Sequence, residues 1–451
     1  MPVLEQERLD IDKYVEVLRE FLRQPSISAQ DRGVKECAQM LGEIMNRFGI
    51  SSKLVPVKDG QPVVFGELRS RRADRTLLIY DHYDVQPPEP LDEWRHHPFS
   101  ADLEGERIWS RGASDSKGNI LAYLAAADII LRRDNELPIN LKFIFEGEEE
   151  IGSPHLPEFV EMNKHLLKAD AVVCCDGGLD PSGSPVISLG LKGILYVEMR
   201  CSAAKTDLHS SRAPLVANPA WRLVWALNTL KDRNDRIIVT GWFDDVKVPT
   251  TSDLEIAGRI PFDEKQLKEE YGVKEFLGGK IGTDALKSLL FDPTCTICGL
   301  LTGYTGPKSK TVLPRTAFAK IDFRLVYDQD PDDLLRKLRK HLDAQGFTDI
   351  ELEIIGRLEP SRTPSTASIA TAAAKAARIV YGVEPIIYPN SPGSGPDYLF
   401  TKKLKIDSIW TGCAPAFSNA HGPNEFITRS SLVSGIKYAI ETIESFADLE
   451  L

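Results

Sequence analysis

The stretch Phe145–Ser153 reads FEGEEEIGS and brings Glu146, Glu148, Glu149 and Glu150 together behind an apolar, strand-like run of Ile139, Leu141, Phe143 and Phe145. Packed carboxylates repel one another, so some must be protonated or face a cation. A divalent metal answers that need, and two adjacent carboxylates can divide the work between ligand and base. Alone, the stretch reads equally well as a solvated acidic turn. Three other segments repeat its design.

In TLLIYDHYDVQP, Thr76–Pro87, a buried-strand pattern (Leu77, Leu78, Ile79, Tyr80) delivers His82 and Asp84 at its carboxyl end. Residues two apart on an extended segment point the same way. His82 can thus ligate a metal through one ring nitrogen while Asp84 holds the other; a lone His-x-Asp could also be a surface loop. In RGASDSKGN, Asp115 precedes a helix read from about Gly118 to Arg132, where it could cap the helix or bridge two metals. In ADAVVCCDGG, Asp176 ends a short apolar strand beside two glycines. A fifth segment, Lys405–Glu425, suggests a last strand at Ile406, Ile409 and Trp410, followed by His421 in a Gly/Pro/Asn-rich loop. Ligands of open α/β sheets bind at the carboxyl ends of strands, where most of these groups fall. Two histidines and three or four carboxylates suit a pair of zinc ions better than an all-oxygen calcium site.

HYDVQP, RGASDSKGN, EGEEEIGS, CDGG, LHSS and AHGPNE, in this order, resemble the dinuclear zinc peptidase family that includes carnosinase-type dipeptidases, carboxypeptidase G, aminoacylase and succinyl-diaminopimelate desuccinylase. The likeness runs from FLRQPSIS (Phe21–Ser28) to AHGPNEFI. The segment Thr294–Arg315 and the long middle region look most like the dipeptidase branch. The resemblance implies that His82 and Asp176 ligate one zinc, Glu150 and His421 the other, and that Asp115 bridges both. It makes Glu149 the general base and Asp84 the support of His82. Asp81 stands where the family usually has glycine, Ser116 where Asp or Asn is more usual, and Ser211 with Ala213-Pro214 replaces a glycine-rich stretch. These departures bear on the pocket, not on the metal set.

Two such metals would lower the pKa of a bridging water and polarise the scissile carbonyl. Glu149 would take the proton of that water and pass it to the departing amine. The negative oxygen that forms needs donors, and His209 of LHSS is the candidate. The family implies that it comes from the partner subunit of a homodimer. Arg324 lies on the polar face of the alternating strand Thr316–Val326, and its planar fork suits a carboxylate. Thr311 and Ser394 resemble substrate-contact positions. Three functions follow: a metal-dependent hydrolase of dipeptides or short peptides with a free C-terminal carboxylate; an amidohydrolase of N-acyl amino acids or related amides; and an inactive metal-bound scaffold, which the presence of Glu149 argues against. Zinc, manganese and cobalt all suit the ligands.

The net charge of −11 argues against nucleic acid and anionic membranes as partners. Seven cysteines at scattered positions do not form a disulfide framework, and the lone Cys295-x-x-Cys298 reads as a pair of buried residues. The opening MPVLEQERLDIDKY lacks a secretory pattern, and no segment is apolar enough to span a bilayer. A reducing cytoplasm is the expectation.

The elements that must position these groups follow from the patterning. Ile11, Tyr14, Val15, Leu18, Phe21 and Leu22 share one helix face, which Pro25 ends. Strands and helices then alternate to about Gly190, which predicts an α/β domain: a mostly parallel sheet covered by helices, zinc exopeptidase-like. It is expected to span 1–192 and 361–451, interrupted by a ferredoxin-like α+β lid or dimerisation domain over 193–360. That lid is read as two strands, two helices and a long insertion over Val239–Gly306. Two hinges suggest that the lid closes over substrate.

Overall fold

The structure, a computed structural model, describes residues 10–449, so most of the opening segment read for a secretory signal lies outside it. The chain divides into two compact units. The first runs up to Gly190 and takes in Arg362–Pro389 and residues from Leu399 onward. The second comprises Leu191–Ser361 and Asn390–Tyr398. Ser394, expected in the catalytic domain, therefore groups with the second unit.

The first unit is built on an eight-stranded sheet in the order Ser51–Val55, Val63–Leu68, Asn140–Glu146, Thr76–His82, Ala171–Cys174, Ser408–Trp410, Val186–Ser188, Ile386–Tyr388. The four strands from Asn140–Glu146 to Ser408–Trp410 run parallel. The first two form an antiparallel hairpin at one edge, and Val186–Ser188 runs against Ser408–Trp410. The central strands are apolar and buried, because helices cover a parallel sheet on both faces. Helix Gly118–Asp134 is rich in Leu and Ala and buried on nearly every side. It packs on Arg429–Asp448, which in turn packs on the alanine-rich Ser368–Tyr381. The N-terminal helix, Ile11–Arg23, buries the five predicted residues from Tyr14 to Leu22 and stops just before Pro25. A separate small sheet pairs Phe426–Thr428 with Arg107–Trp109, setting Phe426 opposite Trp109. It lays the segment after His421 beside the one before Asp115.

The second unit is a four-stranded antiparallel sheet, ordered Thr296–Thr302, Thr316–Leu325, Gly193–Ser202, Glu351–Leu358. Helices Pro219–Leu227 and Pro331–Ala344 pack on it. Leu195, Val197, Met199, Ile321, Phe323, Leu223 and Leu338 form the core between them. Burial alternates perfectly along Thr316–Leu325, as its sequence pattern predicts. Two edge strands were not expected. Thr296–Thr302 lies within the insertion, after three short helices, and exposes apolar and polar residues alike. Glu351–Leu358 has little burial to mark it. Cys295 is buried but Cys298 is exposed, which corrects the reading of both as core residues: they lie at the start of an edge strand with one uncovered side.

Candidate metal centre

The carboxyl ends of the parallel strands carry the candidate ligands. His82 is the last residue of its strand, Glu149 and Glu150 follow Asn140–Glu146 in a single helical turn, and Asp176 follows Cys174. Asp115 lies in an irregular turn before helix Gly118–Asp134, whose N-terminus has no side-chain cap. That finding removes capping as the role of Asp115. These groups form two triads that share one residue: His82, Asp115 and Asp176; and Asp115, Glu150 and His421. His82 Nε2 lies 3.1 Å from Asp115 Oδ1 and 3.8 Å from Asp176 Oδ2. His421 Nε2 lies 3.0 Å from Asp115 Oδ2 and 3.2 Å from Glu150 Oε2. The two oxygens of Asp115 thus face different histidines.

The residues fit a metal on their own chemistry. His82 Nε2 is buried, and although it is 3.1 Å from Asp115 it makes no well-aligned hydrogen bond. A buried ring nitrogen aimed between two carboxylates needs a cation or a proton. The local charges say the same. Burial, then Asp115, pushes Asp176 up to about 7. Asp115 and Glu150 hold the His421 ring proton up to about 10. Burial raises Glu149 well above the carboxylate range, and Asp176 and Glu150 add to the rise. Glu149 belongs to neither triad, although it lies within electrostatic reach of His82, Asp176 and Glu150.

Neighbours hold the candidate ligands in place. The nearest partner of His82 Nδ1 is the Asp84 main-chain carbonyl at 3.1 Å; the Asp84 carboxylate is 3.5 Å away. That carboxylate instead accepts from the backbone N–H groups of Glu149 (3.2 Å) and Glu150 (3.1 Å). Asp84 therefore anchors the glutamate turn as well as the histidine, a double duty that side-chain spacing does not reveal. Gln86 donates to Glu150 Oε2 at 2.8 Å. Tyr80 and Ser153 hydroxyls donate to Glu146, at 2.7 and 2.8 Å, and fix both ends of the acidic segment. Asp81 is fully buried and accepts from the His82 N–H at 2.8 Å, while its Oδ2 makes no well-aligned hydrogen bond among the described residues.

The sequence reading missed Arg111 and Glu425, both buried. Glu425 accepts from Arg111 Nη1 at 2.7 Å, from the N–H groups of Gly112, Ser114 and Asp115 at 2.9–3.1 Å, and from Ser114 Oγ at 3.1 Å. Its position four residues after His421, in AHGPNE, was the one available signal.

The remaining candidates lie in the second unit. Arg324 Nη1 donates to Ser394 Oγ at 2.7 Å, and Arg324 Nε lies 3.3 Å from Asp322. His209 is exposed in a two-residue strand paired with Val312, the neighbour of Thr311. Its Nδ1 contacts Ser211 Oγ at 2.9 Å. Among the described residues, no helix is long and apolar enough to cross a membrane.

A doubly wound sheet with two metal-capable triads at its carboxyl edge defines a metal-dependent hydrolase. Residues 78–445 match peptidase family M20/M25/M40, and the chain belongs to that family of metallopeptidases. It is similar to the Cys-Gly metallodipeptidase DUG1 of Candida albicans, 30% identical over 94% of this chain and 93% of that protein. It is also similar to the human Beta-Ala-His dipeptidase, 27% identical over 94% of this chain and 88% of that one. Among solved structures, an M20 family metallo-carboxypeptidase from Sulfolobus solfataricus superposes with a TM-score of 0.93 at 43% identity, covering 97% of this chain and all of that one.

Proposed function

We propose that this protein is a two-zinc exopeptidase that hydrolyses dipeptides or short peptides ending in a free carboxylate. The pair of triads hinged on Asp115 carries the reading. His82 and Asp176 would hold one ion, Glu150 and His421 the other, with Asp115 shared. When bound, the ions supply a Lewis acid for the carbonyl and an acidified water. Mixed imidazole and carboxylate donors suit zinc, with manganese or cobalt as substitutes.

Glu149 is the proton carrier. It stands apart from the ligands, and its raised pKa suits a group that must take a proton and return it to the departing amine. The Asp84 carboxylate positions it by accepting from the Glu149 backbone N–H. Arg324, held by Ser394, is the clamp for the substrate carboxylate, and Thr311 lies beside His209 as a further contact. His209 is the donor to the developing oxyanion. It contacts Ser211 through Nδ1, its Nε2 has no hydrogen bond among the described residues, and a homodimer would deliver it across the interface. No cysteine forms a disulfide among the described residues, which suits a reducing cytoplasm.

A dipeptide and a carboxypeptidase substrate share a leaving residue that ends in a free carboxylate, and the names of the similar proteins divide between those two activities. A release assay on dipeptides, tripeptides, their C-terminal amides and N-acyl amino acids tests the reading. Cleavage of the free peptides with loss of rate on the amides is expected. Rapid turnover of N-acyl amino acids with inert dipeptides would replace the reading with a deacylase.

A further inference from the structure

Two metal-bearing segments far apart in the chain meet through one buried ion pair. Arg111 and Glu425 are each 1% exposed or less. The N–H groups of Gly112, Ser114 and Asp115 form a concave cradle of the kind that binds anions, and the cradle is filled by the chain's own Glu425 carboxylate. Both oxygens are used: Oε2 takes Arg111 and Gly112, and Oε1 takes Ser114 and Asp115. The second arm of Arg111, Nη2, donates to the main-chain carbonyl of His421 at 3.1 Å. Further along, the Ser110 N–H donates to the Glu425 carbonyl at 3.0 Å.

The His421 loop needs such a hold. Phe417, Asn419, His421 and Asn424 all have φ between 58° and 62°, a region that asparagine tolerates but that is costly for Phe417 and His421. Such a backbone persists only where its surroundings over-determine it. Asn424 supplies part of that constraint, accepting from Arg95 N and donating to Glu93 O. Among the described residues, only Arg111 is bonded to the carbonyl of His421 itself.

We infer that Arg111 and Glu425 are positioning residues with separable effects: Arg111 sets the affinity of the metal position that includes His421, whereas Glu425, through the Asp115 turn, sets both. The inference rests on the two-metal reading above. Lysine at position 111 keeps the charge for Glu425 but lacks the second arm that reaches His421. Aspartate at position 425 keeps the charge but withdraws the carboxylate from the cradle by one methylene.

The test is a titration of the metal-stripped full chain with Co2+, followed by calorimetry and visible absorption. Arg111→Lys is expected to weaken one of two sites by about ten- to a hundredfold and leave the other unchanged, the usual cost of losing an outer support. Glu425→Asp is expected to weaken both. Equal weakening of the two sites by Arg111→Lys, or no weakening, overturns the inference while the two-metal reading stands. If Arg111→Lys does not fold, Glu425→Asp still decides: two unchanged sites overturn the inference. Fewer than two sites in the unaltered protein overturns the two-metal reading itself.

Discussion

At the scale of single residues, Glu149 and the five proposed ligands make different predictions. Glu149→Ala should cut kcat by about 10²–10⁴-fold, the usual worth of a positioned acid–base group, while both metals stay bound. Near-normal turnover would remove it as the base. Arg324→Lys keeps the charge but loses the fork, so KM for dipeptides should rise more than kcat falls; an unchanged KM would dissociate Arg324 from the carboxylate. The proposed ligands also make metal loading a proton exchange. His421 is held up to about 10, so at pH 7 it is protonated in the metal-free chain; burial and Asp115 raise Asp176 too, which favours its protonated form. A raised pKa means a proton must leave before the group can ligate, so loading releases protons and apparent affinity climbs with pH. Calorimetry in buffers of different ionisation enthalpy measures that release, and its absence at pH 7 would show that these groups do not ligate. The grouping of His82, Asp115, Glu150, Asp176 and His421 was legible in the sequence because each ends, follows or, for Asp115, precedes a short segment with a clear pattern. The part played by Glu425 was not, because its partners are more than 300 residues away in the chain.

At the scale of elements, strand ends do the positioning. Apolar patterning found Thr76–His82 as a continuous buried run and Asn140–Glu146 by alternation. It could not find Glu351–Leu358, which is half exposed and whose place at the sheet edge depends on pairing with Gly193–Ser202. Nor could it show how closely the Asp176 turn approaches the segment after Trp410. A Cβ on Gly178 would sit 2.3 Å from the Ala414 carbonyl oxygen, and one on Gly177 2.9 Å from the Thr411 backbone. Backbone cannot yield as a flexible side chain can. Gly178→Ala should therefore cost about 1–3 kcal/mol in urea unfolding, the range for overpacking, and shift Asp176 enough to weaken metal binding. Unaltered stability would mean that the two segments separate easily.

At the scale of the whole molecule, the sequence foretold an α/β unit interrupted by an α+β insertion, because apolar periodicity changes near Gly190. It did not foretell that residues 390–398 group with the insertion, a matter of tertiary packing: the Asn390 side chain donates to the Leu290 carbonyl, and Leu191 bridges to Ser391. The proposed dimer makes a prediction that single chains cannot. His209→Ala and Glu149→Ala proteins should each be nearly inactive, yet mixing them under conditions that exchange subunits should restore activity. The mixed dimer would hold one site with both groups intact. No recovery, with exchange verified, would place His209 in its own subunit's site or outside catalysis.

The most direct measurement is metal content against activity on one preparation. Stripping with a chelator should abolish dipeptide hydrolysis, and activity should return in step with two equivalents of Zn2+ per chain. A stripped chain that retains full activity would contradict the account.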